Sequence, residues 1–489
     1  MHLFGWLDAL FMNLARTNNS VVLLALAVLV PALAIAIYSE HWWLVTLPIA
    51  IGLGFFSWKH PVVLLSLLWI TLPVSFEYSF SDQLGTDLPD EPLMLGITVL
   101  AFCCLVYQNR VFSSLYWKHP LLICFMCWLG WMFVPILLSE TPLRSLKFLL
   151  AKTWYVGAFF LAPLIWLRSR ERLIHFLYCL FIPLFVLALI TLVRHAGEGF
   201  SFSSVSEVVQ PYFRNHVVYS AMLMTLLPVL LLVRQQANRK WGWNLAIALV
   251  CGALYFSFAR GAWLALIVGL IAYLLLRIRL LLYGYVMVLL LLISVFIWLK
   301  QDNRYLQYAP DYKTTIFHPE FSEHWQATYQ GKDVSTVERF YRWIAGFRMI
   351  EEKPIAGFGP ASFYSTYRPY TVPAYRTWVS NNPHKSTIHN YFLLTAVEQG
   401  IPGLLLFLLL FGAILYYAER IYHTHQANWK RQMAAGIGVI VVMLGVVNFW
   451  SDLIETDKIG SLFFLSISLL LILDRERSGR SRTHIERIP

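Results

Sequence analysis

Apolar runs long enough to cross a bilayer recur along almost the whole chain, and they constrain its fold class before any single residue is considered. Candidate spans lie near residues 21–38, 42–56, 60–76, 92–107, 119–138, 148–166, 172–194, 216–233, 241–258, 261–276 and 283–299, and again near 401–418, 433–449 and 460–474. In hydrocarbon a segment must satisfy its own backbone hydrogen bonds, which about 20 apolar residues do by forming a helix. The chain therefore reads as an all-α polytopic membrane protein with about 12–14 transmembrane helices. Residues 21–56 read either as two short spans or as one re-entrant hairpin. Residues 1–16 read as an interfacial helix, with Phe4, Trp6, Leu7, Leu10 and Phe11 on its apolar side. No small-residue cleavage site follows the first apolar run, so no removable signal peptide is expected.

Composition agrees. The 489 residues are 58% hydrophobic and only 13% charged, with a mean hydropathy of +0.61. A soluble protein would carry about a quarter charged residues. The net charge of +11 is therefore read against the membrane, and no nucleic-acid partner is expected. With the N-terminus cytoplasmic, the inside loops receive Lys59, Arg110, Lys118, the Arg168–Arg172 cluster, Arg234, Arg239, Lys240, Arg277, Arg279, Arg420, Lys430, Arg431 and the basic tail. The opposite side receives Glu77, Asp82, Asp87, Asp90, Glu91, Asp452, Glu455 and Asp457. That alternation obeys the positive-inside rule.

One stretch breaks the pattern. Residues 300–388 hold no run able to span a bilayer, and sidedness places them outside the cytoplasm. The expected organisation is an N-terminal transmembrane bundle over 1–299, a large outer loop over 300–388, C-terminal transmembrane helices over 389–475 and a basic cytoplasmic tail over 476–489. Within the loop, Ser335-Thr336-Val337-Glu338 reads as a capping box opening an amphipathic helix near 335–352. Val337, Phe340, Tyr341, Ile344 and Phe347 lie on one stripe of it. Lys353-Pro354 stops that helix, and Gly357-Phe358-Gly359-Pro360 follows as a turn.

The six cysteines all lie in apolar segments, and Cys124-x-x-Cys127 reads as small apolar packing rather than a metal or redox motif. The outer acids show no ligand-like spacing with histidine, so neither a metal nor another cofactor is expected. Cations on the outer side are more telling. Arg214 precedes a span, Arg260 occupies a short turn between two spans, Lys147 and Lys152 lie near the outer end of another, and Arg339 and Arg342 share a face of the loop helix. Any one of them could simply snorkel to the interface. Together, opposite the basic loops, they suit an anion such as a pyrophosphate, for which guanidinium offers planar paired donors.

His389 is the candidate base. It stands before Asn390 and Tyr391 at the mouth of a new apolar helix, a place where a cap or interface histidine is the plainer alternative. A neutral imidazole there can take a proton from a hydroxyl, and the nearby cations favour the neutral form. The loop aromatics, among them Tyr305, Trp325, Tyr341, Trp343, Tyr364, Tyr367, Tyr370 and Trp378, suit either a core or a sugar-binding cleft.

Three segments resemble the O-antigen ligase and O-antigen polymerase superfamily of bacterial membrane glycosyltransferases. Ser257-Phe258-Ala259-Arg260-Gly261-Ala262 is similar to the family's Ser-x-Ser-Arg-Gly turn, with Phe258-Ala259 departing from it. His389-Asn390-Tyr391-Phe392-Leu393, with Gly400 and Gly403, resembles its His-(Asn/Ser)-x-x-Leu…Gly helix. Arg342-Trp343 through Pro354–Gly359 resembles the segment leading into that helix, and Pro211 to Asn215-His216 resembles the approach to another span. The resemblance runs over about residues 140–475, strongest from about 210 to 420.

It implies a GT-C-type fold with a periplasmic loop, in the bacterial inner membrane, with the active site facing the periplasm. It implies transfer of a glycan from undecaprenyl pyrophosphate to an acceptor without a metal and with inversion. His389 would activate the acceptor hydroxyl, and Arg260 and Arg214 would hold the pyrophosphate. Arg339, Arg342, Lys152, His216 and Asn390 would contact substrate. The acceptor is lipid A-core for a ligase or a second lipid-linked glycan for a polymerase, and no residue decides between them, although ligase is preferred here. A protein acceptor, a lipid-linked glycan transporter and a non-catalytic assembly protein are the other readings. A transporter should show repeats and polar groups at mid-membrane, whereas here the cations crowd one end.

Overall fold

The structure, a computed structural model, describes residues 57–81, 84–107, 117–308, 334–377, 380–382 and 386–485. The expected interfacial helix, the first two candidate spans, Trp325 and Trp378 lie outside them. Residues 66–489 form one compact unit, to which the geometry below belongs.

A short helix, α1 (Pro61–Thr71), ends where Pro73 interrupts the apolar run, and a hairpin of β1 (Phe76–Ser81) and β2 (Leu84–Leu88) follows. The helices after it are α2 (Asp90–Tyr107), α3 (Pro120–Trp131) continued by α4 (Phe133–Leu137), α5 (Pro142–Val156) continued through a π turn by α6 (Ala162–Trp166), and α7 (Arg170–Gly197). After a short α8 (Val205–Val208) come α9 (His216–Gln236), α10 (Trp241–Phe256), α11 (Arg260–Arg277) and α12 (Leu281–Lys300). The loop supplies α13 (Val334–Glu352) and a single turn, α14 (Phe363–Thr366). The chain closes with α15 (Tyr391–Thr424), α16 (Asn428–Phe449) and α17 (Asp457–Ile485).

Among the described residues, nine helices are long and apolar enough to cross a membrane: α2, α3–α4, α5–α6, α7, α9, α11, α12, α15 and α16. Residues Pro61–Val74 and α10 are apolar but shorter. The chain is an all-α polytopic membrane protein, as its sequence implies. Side chains at the starts hold several of these helices: Ser169 accepts from the Arg172 amide (3.3 Å), and Asn215 from those of Val217 (3.0 Å) and Val218 (3.1 Å). Within the bundle, rings pack edge to face, Trp69 on Phe159 (5.3 Å) and Phe176 (4.5 Å), and Trp128 lies against Phe407 (5.5 Å). In lipid such contacts stabilise by close packing rather than by release of water.

Three local features differ from expectation. The acidic outer segment is not a plain loop but an antiparallel hairpin pairing Phe76 with Leu88 and Tyr78 with Thr86. Its period-two alternation is hidden when residue 76 is assigned to the preceding span. The basic tail is helical as far as Ile485, continuous with the last apolar helix. Glu338, the last residue of the expected capping box, has a carboxylate with partners farther along the chain: it meets Arg342 at 3.3 Å and accepts from Thr377 (2.5 Å) and from Ser380.

Alternation of the helices leaves two polar ends. One gathers the basic connections, where Leu281 donates to Glu419 (2.8 Å), His119 meets Asp474 (3.3 Å) and Arg170 lies over Trp429 (5.6 Å). The other gathers the hairpin, the connections before α9 and α11, the loop, and the turn between α16 and α17. Its parts are bound across long sequence distances. Lys458 donates to the carbonyls of Ser75 (2.8 Å) and Tyr212 (2.6 Å), Ser145 to that of Pro360 (2.8 Å), and Tyr391 to that of Ser451 (3.0 Å).

The loop has its own core. Tyr341, Ala345, Met349, Phe358, Phe363, Tyr367, Tyr375 and Ile388 are buried together with Val397 of α15, and Tyr305, Trp343, Tyr364 and Tyr370 pack against them. Most of the loop aromatics within the described residues are thus core. The turn at Gly357 docks on α15: Phe358 and Gly359 donate to the carbonyls of Val397 (3.0 Å) and Glu398 (2.9 Å). Gly400 breaks α15 with φ +73, and a side chain there would collide with the Ile355 carbonyl.

Candidate active site

The helix that follows His389 begins where three elements meet. Asn390 caps it, its side chain accepting from the Leu393 amide at 2.9 Å. His389 precedes the cap with φ +54, in the left-handed region where few residues other than glycine settle. Such a backbone persists only when its surroundings hold it, and here they do. Arg342 of α13 donates to the Thr387 carbonyl (3.1 Å), and the Trp343 indole donates to that of Ile388 (3.0 Å). Arg342 is itself buried and paired with Glu338.

The third element is the turn after α16. Asp452 accepts from the Thr387 hydroxyl at 2.5 Å and stands 3.7 Å from Nδ1 of His389, an ion-pair distance rather than a hydrogen bond. Burial pushes the Asp452 carboxyl upward, but the His389 imidazole and the Thr387 hydroxyl outweigh it and hold the group below its ordinary range. The neighbour of His389 is thus a carboxylate rather than the cations expected. The His389 side chain remains 35% exposed, so it is both oriented and reachable. An imidazole held at Nδ1 offers Nε2 to an incoming proton.

The other expected residues divide by partner. Buried Lys152 forms an ion pair with the partly exposed Glu455 (2.8 Å), tying α5 to the α16–α17 turn. Arg342 and Asn390 are likewise taken up inside the protein. Each meets an internal partner: Lys152 the Glu455 carboxylate, Arg342 the Thr387 carbonyl and Glu338, and the Asn390 side-chain oxygen the Leu393 amide. His216 contacts Ser206 at 2.9 Å at the start of α9. Arg339 is half-buried on α13.

Arg214 is exposed, one residue before the α9 cap, and Arg260 is the half-buried first residue of α11. The turn before Arg260 has Phe258 at φ +52, with its ring against His195 (6.2 Å) and Phe202 (5.7 Å). Phe200 stacks on Phe256 at 4.0 Å. The connections before α9 and α11 therefore pack together and bring both arginines to the end of the molecule that holds His389. Helices α9, α11 and α15 all point their N-termini to this end, where a helix favours negative charge.

Asp452, Thr387 and Glu338 are the functional candidates that sequence reasoning did not single out. Asp452 was visible only as one of several outer acids. Its signal was position, in a polar turn between two apolar spans on the same side as His389.

Residues 244–408 match the family model described as O-antigen ligase, a likeness that supports the resemblance drawn from the sequence. The matched stretch includes Arg260, α13 and His389, and excludes Arg214, Lys152 and Asp452. A Haemophilus influenzae protein described as uncharacterized is 23% identical over 142 residues, 29% of this chain and 35% of that protein. The match thus spans about a third of the relative's length.

Proposed function

We infer that this chain, whose residues 244–408 match the family model described as O-antigen ligase, transfers a glycan from a polyprenyl pyrophosphate to an acceptor hydroxyl on the periplasmic face of the inner membrane. The observation that carries the reading is His389, accessible, oriented by Asp452 and fixed by Arg342 and Trp343, within the matched stretch. Neutral His389 accepts the acceptor proton as the hydroxyl oxygen bonds to the anomeric carbon. The bond from that carbon to the pyrophosphate oxygen breaks with inversion, and undecaprenyl pyrophosphate leaves. Arg260 and Arg214 receive the charge that develops on it, the role a metal plays elsewhere. Asp452 stabilises the imidazolium that forms.

The acceptor proposed is lipid A-core. A lipopolysaccharide gel tests this in a strain lacking the protein, rescued with wild type or with His389→Ala expressed to equal level in the membrane. Loss of long chains from the core, with their accumulation on the lipid carrier, is expected for the variant. Core bearing a single repeat would make the enzyme a polymerase, and full rescue would remove His389 as the base.

A further inference from the structure

Four rings stand beside the His389–Asp452 pair and belong to three different elements. Phe340 and Trp343 come from α13, Phe449 ends α16, and Trp450 opens the turn that carries Asp452. Trp343 and Trp450 lie nearly parallel, with centroids 5.7 Å apart and planes at 29°. Phe340 and Phe449 meet Trp343 edge-on, each at 5.6 Å. The cluster is not sealed: Phe340 is 40% exposed, and Trp343, Phe449 and Trp450 are all partly exposed. It is tied to the histidine's turn, because the Trp343 indole donates to the carbonyl of Ile388, the residue before His389. The indole N–H of Trp450 has no partner among the described residues.

We propose that Trp343, Trp450 and Phe340 form the platform on which the pyranose ring of the acceptor glycan stacks. The proposal rests on the transferase reading for the identity of His389 as base. A sugar ring presents an apolar C–H face and hydroxyl edges. It suits a flat aromatic surface with a free indole donor and polar groups at its border. The placement also answers a requirement of the reaction: the acceptor hydroxyl must come within hydrogen-bond reach of His389, and the ring bearing it must lie immediately alongside. Interfacial tryptophans that merely anchor a helix at the headgroups need no such attachment to the catalytic turn.

The test is calorimetric binding of delipidated oligosaccharides to the intact protein in nanodiscs, with core oligosaccharide and the O-antigen repeat as separate probes. Trp450→Leu should weaken binding about tenfold, Phe340→Ala less, and Trp450→Phe should restore most of it. His389→Ala should leave binding in place, which separates this proposal from the transfer chemistry. Whichever probe binds in a Trp450-dependent manner supports the platform and identifies the acceptor class. Equal binding by wild type and Trp450→Leu overturns it, as does an absence of binding to wild type at millimolar sugar. Strong quenching of the pair by brominated phospholipid, unrelieved by sugar, also overturns it and makes the rings a membrane anchor. Should His389→Ala retain transfer while Trp450→Leu loses binding, the base assignment fails and the platform stands.

Discussion

The rim around His389 and the rim around Arg214 and Arg260 lie at the same end of the bundle but are built differently. At the first, the chain before the histidine is fixed by side chains from α13 and from the α16–α17 turn, and the charges meet charges: Arg342 with Glu338, Lys152 with Glu455, His389 with Asp452. At the second, ring packing sets the backbone, while Arg214 remains exposed and Arg260 half-buried. A proton acceptor must be aimed before substrate arrives, because misplacement by about 1 Å costs on the order of a hundredfold in rate. A clamp for a mobile pyrophosphate gains from long side chains that close on it. Under the proposed function, the contrast is one between a preorganised base and an anion site.

The largest effects should fall on the first rim. His389→Gln should lower transfer by about 10²–10⁴-fold in a reconstituted assay, with little change in donor binding. Asp452→Asn should lower kcat by about 10²-fold, since the imidazole loses both its orienting group and its counter-charge. If Asp452→Asn instead raised donor KM alone, the carboxylate would belong to the anion site and the division would collapse. Arg342→Lys should fail to restore activity, because one ammonium cannot serve both Glu338 and the Thr387 carbonyl in the same geometry.

Arg214→Ala should show the opposite pattern. Donor KM should rise about tenfold with kcat nearly kept, the loss of one charge-assisted contact of about 1.5 kcal/mol. Lys152→Ala separates cations that bind from cations that build. It should lower thermal stability, because Glu455 loses its partner in a largely buried setting, while the KM of the remaining folded enzyme holds. A Lys152→Ala enzyme of normal stability and high donor KM would return that residue to the anion site.

These assignments show where sequence reading reached its limit. Apolar runs and charge alternation carried the fold class, because the bilayer imposes both on any chain that crosses it. His389 and Arg260 stood out as candidates because each depends on local chemistry: a ring before a cap and a cation in a tight turn. The partners did not. Asp452 lies 63 residues from His389, and Glu455 lies 303 from Lys152, so only tertiary packing shows that one acid stands against the histidine and another pairs with a lysine. The cations therefore looked equivalent in sequence, and only their partners tell them apart. The hairpin was missed for a different reason: its alternation starts directly after an apolar helix that ends early.

The smallest effect expected is one of pH, and it belongs to the second rim through Lys458. That lysine donates to the carbonyl of Tyr212, two residues before Arg214, and reaches the hairpin at Ser75. Close by, Asp87 of β2 is raised to about 7, first by burial and then by the charges of Asp457, Glu91 and Glu77, with Lys458 opposing them. The folded value exceeds the unfolded value of 3.8, so the folded protein binds more protons between about pH 4 and 7. Stability should therefore fall as pH rises through that window and stay lower above it. Asp87 is partly exposed, and solvent screening limits the effect to roughly 1 kcal/mol. Asp87→Asn should flatten this part of the stability profile in thermal melts between pH 5 and about 8. The same variant should leave the Asp452 contribution intact, because a depressed carboxylate adds stability above its unfolded value and loses it only as pH falls through the lower folded one. A profile unchanged by Asp87→Asn would separate the hairpin from the arginine rim and leave Lys458 as a purely structural tie.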